Sequence, residues 1–198
     1  MKTYTIRYIS FTEIKFNKPY LLSLLPEERK NKILSFKNDA EQYLSIAMNY
    51  FVSKYVKGEV TRTKEGKLKT PKGYFTITYS GEYVIFVETK ELSGLALEKR
   101  TDKKEDIINY AFNDIDKKLI KTANDFYYLW SLKEALMNAL GKNFNQDDIK
   151  TLESKEGNVS YLDKNFYLKS EIFKDYYIAL CIEGKNDFNI KLQEETIG

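Results

Sequence analysis

In the stretch "DFYYLWSLKEALMNALGKNF" (125–144), a lysine and a glutamate capable of chemistry stand side by side, Lys133 and Glu134. A helix over this stretch puts Asn138 one turn after Glu134 on the same face, so a ligand held by Glu134 would also meet Asn138. A second carboxylate comes from "GLALEKR" (94–100), where strand alternation turns Gly94, Ala96 and Glu98 to one face and Leu95 and Leu97 to the other. Glu98 and Glu134 together would seat Mg²⁺, which takes one or two protein carboxylates and completes its octahedron with phosphate oxygens and water. A simpler reading stands beside this one. The apolar spacing of Phe126, Leu129, Trp130, Leu136, Met137 and Leu140 defines a buried stripe that leaves the helix charges facing water, and Glu98 is equally a solvated glutamate at a strand end.

The rest of the composition narrows the chemistry. The 198 residues contain no histidine, which removes Ser-His-Asp, Cys-His and His-ligated zinc sites together. Carboxylates, lysines, tyrosines and an oxygen-bound metal remain. The single cysteine, Cys181 in "YYIALCIE", excludes a disulfide within the chain and reads as a buried strand thiol. The net charge of +3, from 32 basic and 29 acidic residues, is too small and too dispersed to argue for nucleic acid or a membrane surface. The opening "MKTYTIRYIS" lacks the apolar run of a signal peptide, and no stretch approaches the length of a membrane span, so a cytoplasmic location is expected.

These residues need elements to position them. "TYTIRYIS" and "YFTITYSGEYVIFVETK" alternate as strands, with Ser80-Gly81 as a hairpin turn. Between them Asn38 and Glu41 resemble a capping box, and Ala40, Tyr43, Leu44, Ala47, Tyr50, Phe51 and Tyr55 recur at helical spacing. "EGKLKTPKG" (65–73) reads as a basic loop joining helix to sheet. Beyond "ELSGLALEKR" a second pattern begins, with Asp102 and Glu105 capping a helix through Ile107, Ile108 and Phe112, then the tryptophan helix, then strands at "NVSYL", "NFYLKS" and "DYYIALCIE". The class is α+β, in two lobes of sheet and long helix, 1–100 and 101–198, with a cleft between them as a natural ligand position.

In order and spacing, "GKLKTP", "FTITYSG", "GLALEKR" and "WSLKEALMNALGK" resemble successive motifs of the surfactin-type 4′-phosphopantetheinyl transferases. Those motifs run Gly-Lys-Pro, Phe-Asn-Ile-Ser-His-Ser-Gly, Gly-Ile-Asp-Ile-Glu and Trp-Ser-x-Lys-Glu-Ala-x-x-Lys. The resemblance extends from about Thr3 to "YYIALCIE", and residues 130–135 are its most specific part. It implies two α/β lobes related by a pseudo-twofold, each a small, mainly antiparallel sheet on a long helix, acting as a monomer. Coenzyme A and Mg²⁺ would bind at the junction, and phosphopantetheine would pass to a serine hydroxyl of an acyl or peptidyl carrier protein while adenosine 3′,5′-bisphosphate leaves. By resemblance Glu134 is a metal ligand and candidate base, Glu98 a second ligand, and Lys133 lies against a coenzyme A phosphate or the metal's outer shell. Lys67 contacts coenzyme A, and Ser80 lines its site.

The chain departs from that pattern at four polar positions. The first metal aspartate falls on Ala96, the histidine of Ser-His-Ser on Tyr79, the lysine one turn after the glutamate on Asn138, and an arginine of the first long helix on Gln42. Tyr79 offers a phosphate a hydroxyl without a charge, and Asn138 a neutral donor. Lys142, Lys69, Lys72 and Arg29 are the nearby substitutes for charge. The alternative expectation is therefore a relative that binds a carrier protein or another partner without transfer.

Overall fold

The structure, a computed structural model, describes residues 1–102, 104–141 and 144–197. The chain runs β1 (Lys2–Ser10), α1 (Phe11–Phe16), α2 (Lys18–Ser23), α3 (Glu27–Leu34), α4 (Asp39–Tyr55), β2 (Thr61–Arg62), β3 (Leu68–Thr70), β4 (Gly73–Ser80), β5 (Tyr83–Thr89) and β6 (Ser93–Lys99). It continues through α5 (Glu105–Ala111), α6 (Asp114–Leu119), α7 (Ala123–Leu140), α8 (Gln146–Thr151), β7 (Gly157–Tyr161), β8 (Lys164–Phe173), β9 (Tyr176–Glu183) and β10 (Phe188–Glu194). This is the expected α+β class, with two sheets ordered β10-β1-β5-β4-β3-β2 and β6-β9-β8-β7.

Alternation along the strands sets the layers. In β5, Val84 and Phe86 turn to α4, where they meet Ile46, Ala47 and Phe51, and Ile85 and Val87 turn to the other sheet. In β6, Leu95 and Leu97 face that same intersheet core, and Ala96 faces α7. The order through the molecule is thus α4, first sheet, second sheet, α7. Helix α7 is covered a second time, because Ile108, Phe112 and Ile149 of the α5–α8 region pack on Phe126 and Leu129. Enclosed on both sides, α7 buries ten of its residues, including Ser131 and Lys133.

Chain order and sheet order part company twice. Segment 93–99, read with the first lobe, pairs with β9 of the second sheet in the register Ser93↔Ile182 to Lys99↔Tyr176. In the opposite sense β10, which lay beyond the last strand expected from sequence, lies parallel to β1 in the first sheet from Lys2↔Phe188 to Tyr8↔Glu194. The Phe188 ring meets Tyr4 edge-on at 5.2 Å, anchoring the exchanged strand to the intersheet core. The supposed loop at 65–73 also contains β3, paired with β2 and β4.

Helix starts follow local chemistry. Asn38 caps α4, its side chain accepting from the Ala40 N–H at 2.8 Å. Thr122 and Asp125 form a reciprocal capping box at the start of α7. Helix α5 begins after Lys104 rather than Asp102, and the Lys104 side chain makes no cap bond. Gly141 closes α7 at φ 70°, the left-handed conformation that glycine adopts without a Cβ penalty.

Candidate functional site

Gly94 fixes how closely α7 approaches β6: a Cβ there would stand 2.0 Å from the Ala135 carbonyl oxygen and 2.2 Å from the Ala139 nitrogen. Two residues on, Ala96 continues the apolar contact, fully buried against α7. One further alternation brings Glu98 to the same face, where it meets Glu134 from the helix. Strand and helix periodicities therefore converge on a carboxylate pair, as the spacing in the sequence allowed. Burial, and then the hydrogen bond and charge of Glu98, push the Glu134 carboxyl up to about 9, and Lys104 opposes the shift. The pair thus holds a proton more tightly than a free glutamate does. The Glu134 Oε2 atom is buried and, among the described residues, has no hydrogen-bond partner.

That orphaned oxygen beside a second carboxylate is the donor set a hard cation takes, so Glu98 and Glu134 fit Mg²⁺. They are a pair and no more: among the described residues, no group of three or more His, Cys, Asp and Glu side chains is placed to hold a metal.

The other candidate residues divide between the cleft and the framework. The outer edge of β6, which β9 does not cover, is capped by side chains. Asn138 Nδ2 donates to the Leu95 carbonyl at 3.0 Å, and Thr76 Oγ1 donates to the Ser93 carbonyl at 3.4 Å. Ser80 Oγ accepts from the Lys99 N–H at 3.1 Å. Ser80 and Asn138 thus hold β4 and α7 against β6, next to the carboxylate pair. Tyr79, half exposed, lies on the opposite face of β4 from Ser80.

Lys133 is a correction to both readings of the sequence. It neither faces water nor shares a space with Glu134, because adjacent helix positions point about 100° apart. Its ammonium is fully buried and donates to the carbonyls of Ala111 at 3.0 Å and Ile149 at 3.1 Å, with Asp116 Oδ2 at 3.4 Å. Ser154 Oγ donates to the same Asp116 oxygen at 3.2 Å. Burial lowers the Lys133 pKa and Asp116 partly restores it. The residue ties together the helices around α7, and its ammonium has no donor left to offer a phosphate.

Lys67 is also interior, 8% exposed, with its Nζ donating to Thr76 Oγ1 at 3.1 Å. It lines a cleft of about 390 Å³ bounded by Arg62, Thr76, Ile77, Met137 and Asn138. Two cations went unnoticed in the sequence. Lys104 acts on Glu134, and Lys18 donates to Gln42 Oε1 at 2.6 Å while Gln42 Nε2 donates to the Phe36 carbonyl at 2.7 Å. A neutral side chain at 42 is thereby paired with a positive one. Lys69, Lys72 and Arg29 are exposed, and Lys142 lies outside the described residues.

No family model and no curated protein matches the chain. Among the described residues, no helix is long and apolar enough to cross a membrane.

Proposed function

We propose that the protein is a 4′-phosphopantetheinyl transferase, moving phosphopantetheine from coenzyme A to a serine of an acyl or peptidyl carrier protein. One observation carries the reading: Glu98 and Glu134, the two expected metal ligands, meet at the strand–helix contact, with one Glu134 oxygen left unpartnered among the described residues. Glu98 and Glu134 would hold Mg²⁺, which when bound supplies positive charge to the pyrophosphate. The chain's own residues do the rest. Arg62, on the cleft that Lys67 and Asn138 also line, would offer a cation to an anionic ligand. Glu134, with its buried Oε2, would be the group that holds or takes a proton. Two sheets, each backed by one long helix, support the further proposal of two lobes related by a pseudo-twofold.

A second reading, a carrier-binding relative without transfer, is favoured by the placement of Ala96, Asn138 and Lys133. Ala96 has no ligand atom, Asn138 is committed to Leu95, and Lys133 is committed to the interior. Intact-mass spectrometry of several apo carrier proteins, incubated with the protein, coenzyme A and Mg²⁺, separates the two. A phosphopantetheine mass increase that disappears in Glu98→Ala and Glu134→Ala supports transfer. No increase on any carrier, with an authentic transferase converting them all and carrier binding retained, establishes the second reading.

A further inference from the structure

Lys67 sits between two clefts. Besides the one that reaches Asn138, it lines a second of about 290 Å³ with Tyr74, Tyr161, Leu92, Leu140 and Leu162, between the β2–β3 hairpin and the β7–β8 turn. Gly141 is packed on the lysine stem, for a Cβ there would stand 2.7 Å from Lys67 Cγ. The stem is therefore packed, and Lys67 lies largely in the interior. Its hydrogen-bond partner is a neutral hydroxyl, Thr76, and among the described residues it has no carboxylate. Glu65, Asp163 and Lys164 stand around the second cleft, and the buried Cys181 thiol is near enough to act on the amine. A desolvated lysine lining a cleft with aromatic and aliphatic walls is an arrangement suited to carbonyl chemistry.

We propose that Lys67 is a nucleophilic amine that captures an aromatic aldehyde in the Tyr74–Tyr161 cleft as a Schiff base. The nitrogen lone pair forms a C–N bond as the carbonyl π bond breaks, and a proton passes from nitrogen to oxygen to give the carbinolamine. Loss of the hydroxyl with the second amine proton releases one water and leaves the imine. No oxidant or reductant enters. Desolvation brings the Lys67 ammonium down to about 8, with Cys181 opposing the shift, against an ordinary 10.5. About a tenth of the amine is then free at pH 7, roughly 300-fold more than for an exposed lysine. The inference is independent of the transferase reading, since its test contains neither coenzyme A nor a carrier protein.

The test is benzaldehyde with cyanoborohydride at pH 7, followed by peptide mapping of the native wild-type chain. Lys67 is expected to be alkylated at least about tenfold faster than exposed Lys72, the weaker nucleophilicity of a less basic amine offsetting part of its abundance. The preference disappears in urea, and the fast-forming adduct is lost from Lys67→Met. Because the mapping is done on the wild-type chain, it stands whether or not that variant folds. Alkylation of Lys67 no faster than Lys72, or equal selectivity in urea, overturns the proposal.

Discussion

Replacing Glu134 with Gln tests whether the carboxylate pair is as buried and mutually repelling as its geometry indicates. The amide introduced by Glu134→Gln keeps the shape and the hydrogen-bonding capacity of the protonated acid, and has no proton to lose. In the wild type, Glu134 titrates at about 9 in the folded chain and near 4.5 in the unfolded one. Between those values the native state holds one proton more than the unfolded state, so unfolding free energy falls with pH by up to about 1.36 kcal/mol per unit. From pH 5 to pH 8 this amounts to about 2–4 kcal/mol, the lower figure allowing for water entering as the acid ionises. Urea titrations in the presence of a chelator, repeated from pH 5 to pH 9, measure it directly. The two proteins are expected to be of similar stability at pH 5, with Glu134→Gln gaining the advantage steadily above that. A stability difference that stays constant across the range would refute the reasoning, because it would mean that Glu134 ionises as freely folded as unfolded.

Glu195 is expected to give the opposite pH trend. Burial alone would raise its carboxyl, but hydrogen bonds from Lys54 and Tyr55 outweigh that and hold it below the usual range. Its contribution is present above the unfolded value and fades as pH falls through the folded one, so Glu195→Gln should flatten the acid side of the same stability curve. Lys133→Ala leaves the Ala111 and Ile149 carbonyls and Asp116 without their shared donor, and should cost about 3–5 kcal/mol by urea denaturation. Gly94→Ala drives a methyl into the α7 backbone and should cost about 3 kcal/mol or more, visible as a lowered Tm. Asn138→Ala strips the Leu95 carbonyl of its partner and should cost about 1–3 kcal/mol in the same assay.

The elements with a strong local period were legible in the sequence. β1 alternates through Tyr4 and Ile6, β5 and β9 are short apolar runs rich in β-branched and aromatic residues, and α4 announces itself through Asn38 and apolar positions at helical spacing. The Glu98–Glu134 pair was reachable because it follows from two local rules, alternation in a strand and the angular step of a helix. What stayed hidden depends on distant partners. Lys133 takes its acceptors from three separate segments, and the one local sign of its burial was its position on the apolar stripe, with Leu129 four residues before it and Leu136 three after. β10 has the composition of many edge strands, and its place beside β1 is decided by Tyr4 and Phe188 from far-apart parts of the chain. Ser80 was expected in the ligand site because of its motif, whereas its hydroxyl answers to the Lys99 N–H across the seam between the sheets.

The two exchanged strands have a consequence for how the molecule is made. With β6 lent to the second sheet and β10 lent back to the first, neither half can finish its sheet from its own stretch of chain. β1 emerges from the ribosome well ahead of β10, the neighbour it must wait for. Pairings this distant in sequence are slow to form, and until they do the apolar faces of Tyr4, Ile6 and Ile85 stand open. Cutting the chain near residue 100 should therefore yield two fragments that are each soft and aggregation-prone when alone, yet able to rebuild the native sheets when mixed. The protein behaves as a single lock whose two halves each carry a piece of the other's key.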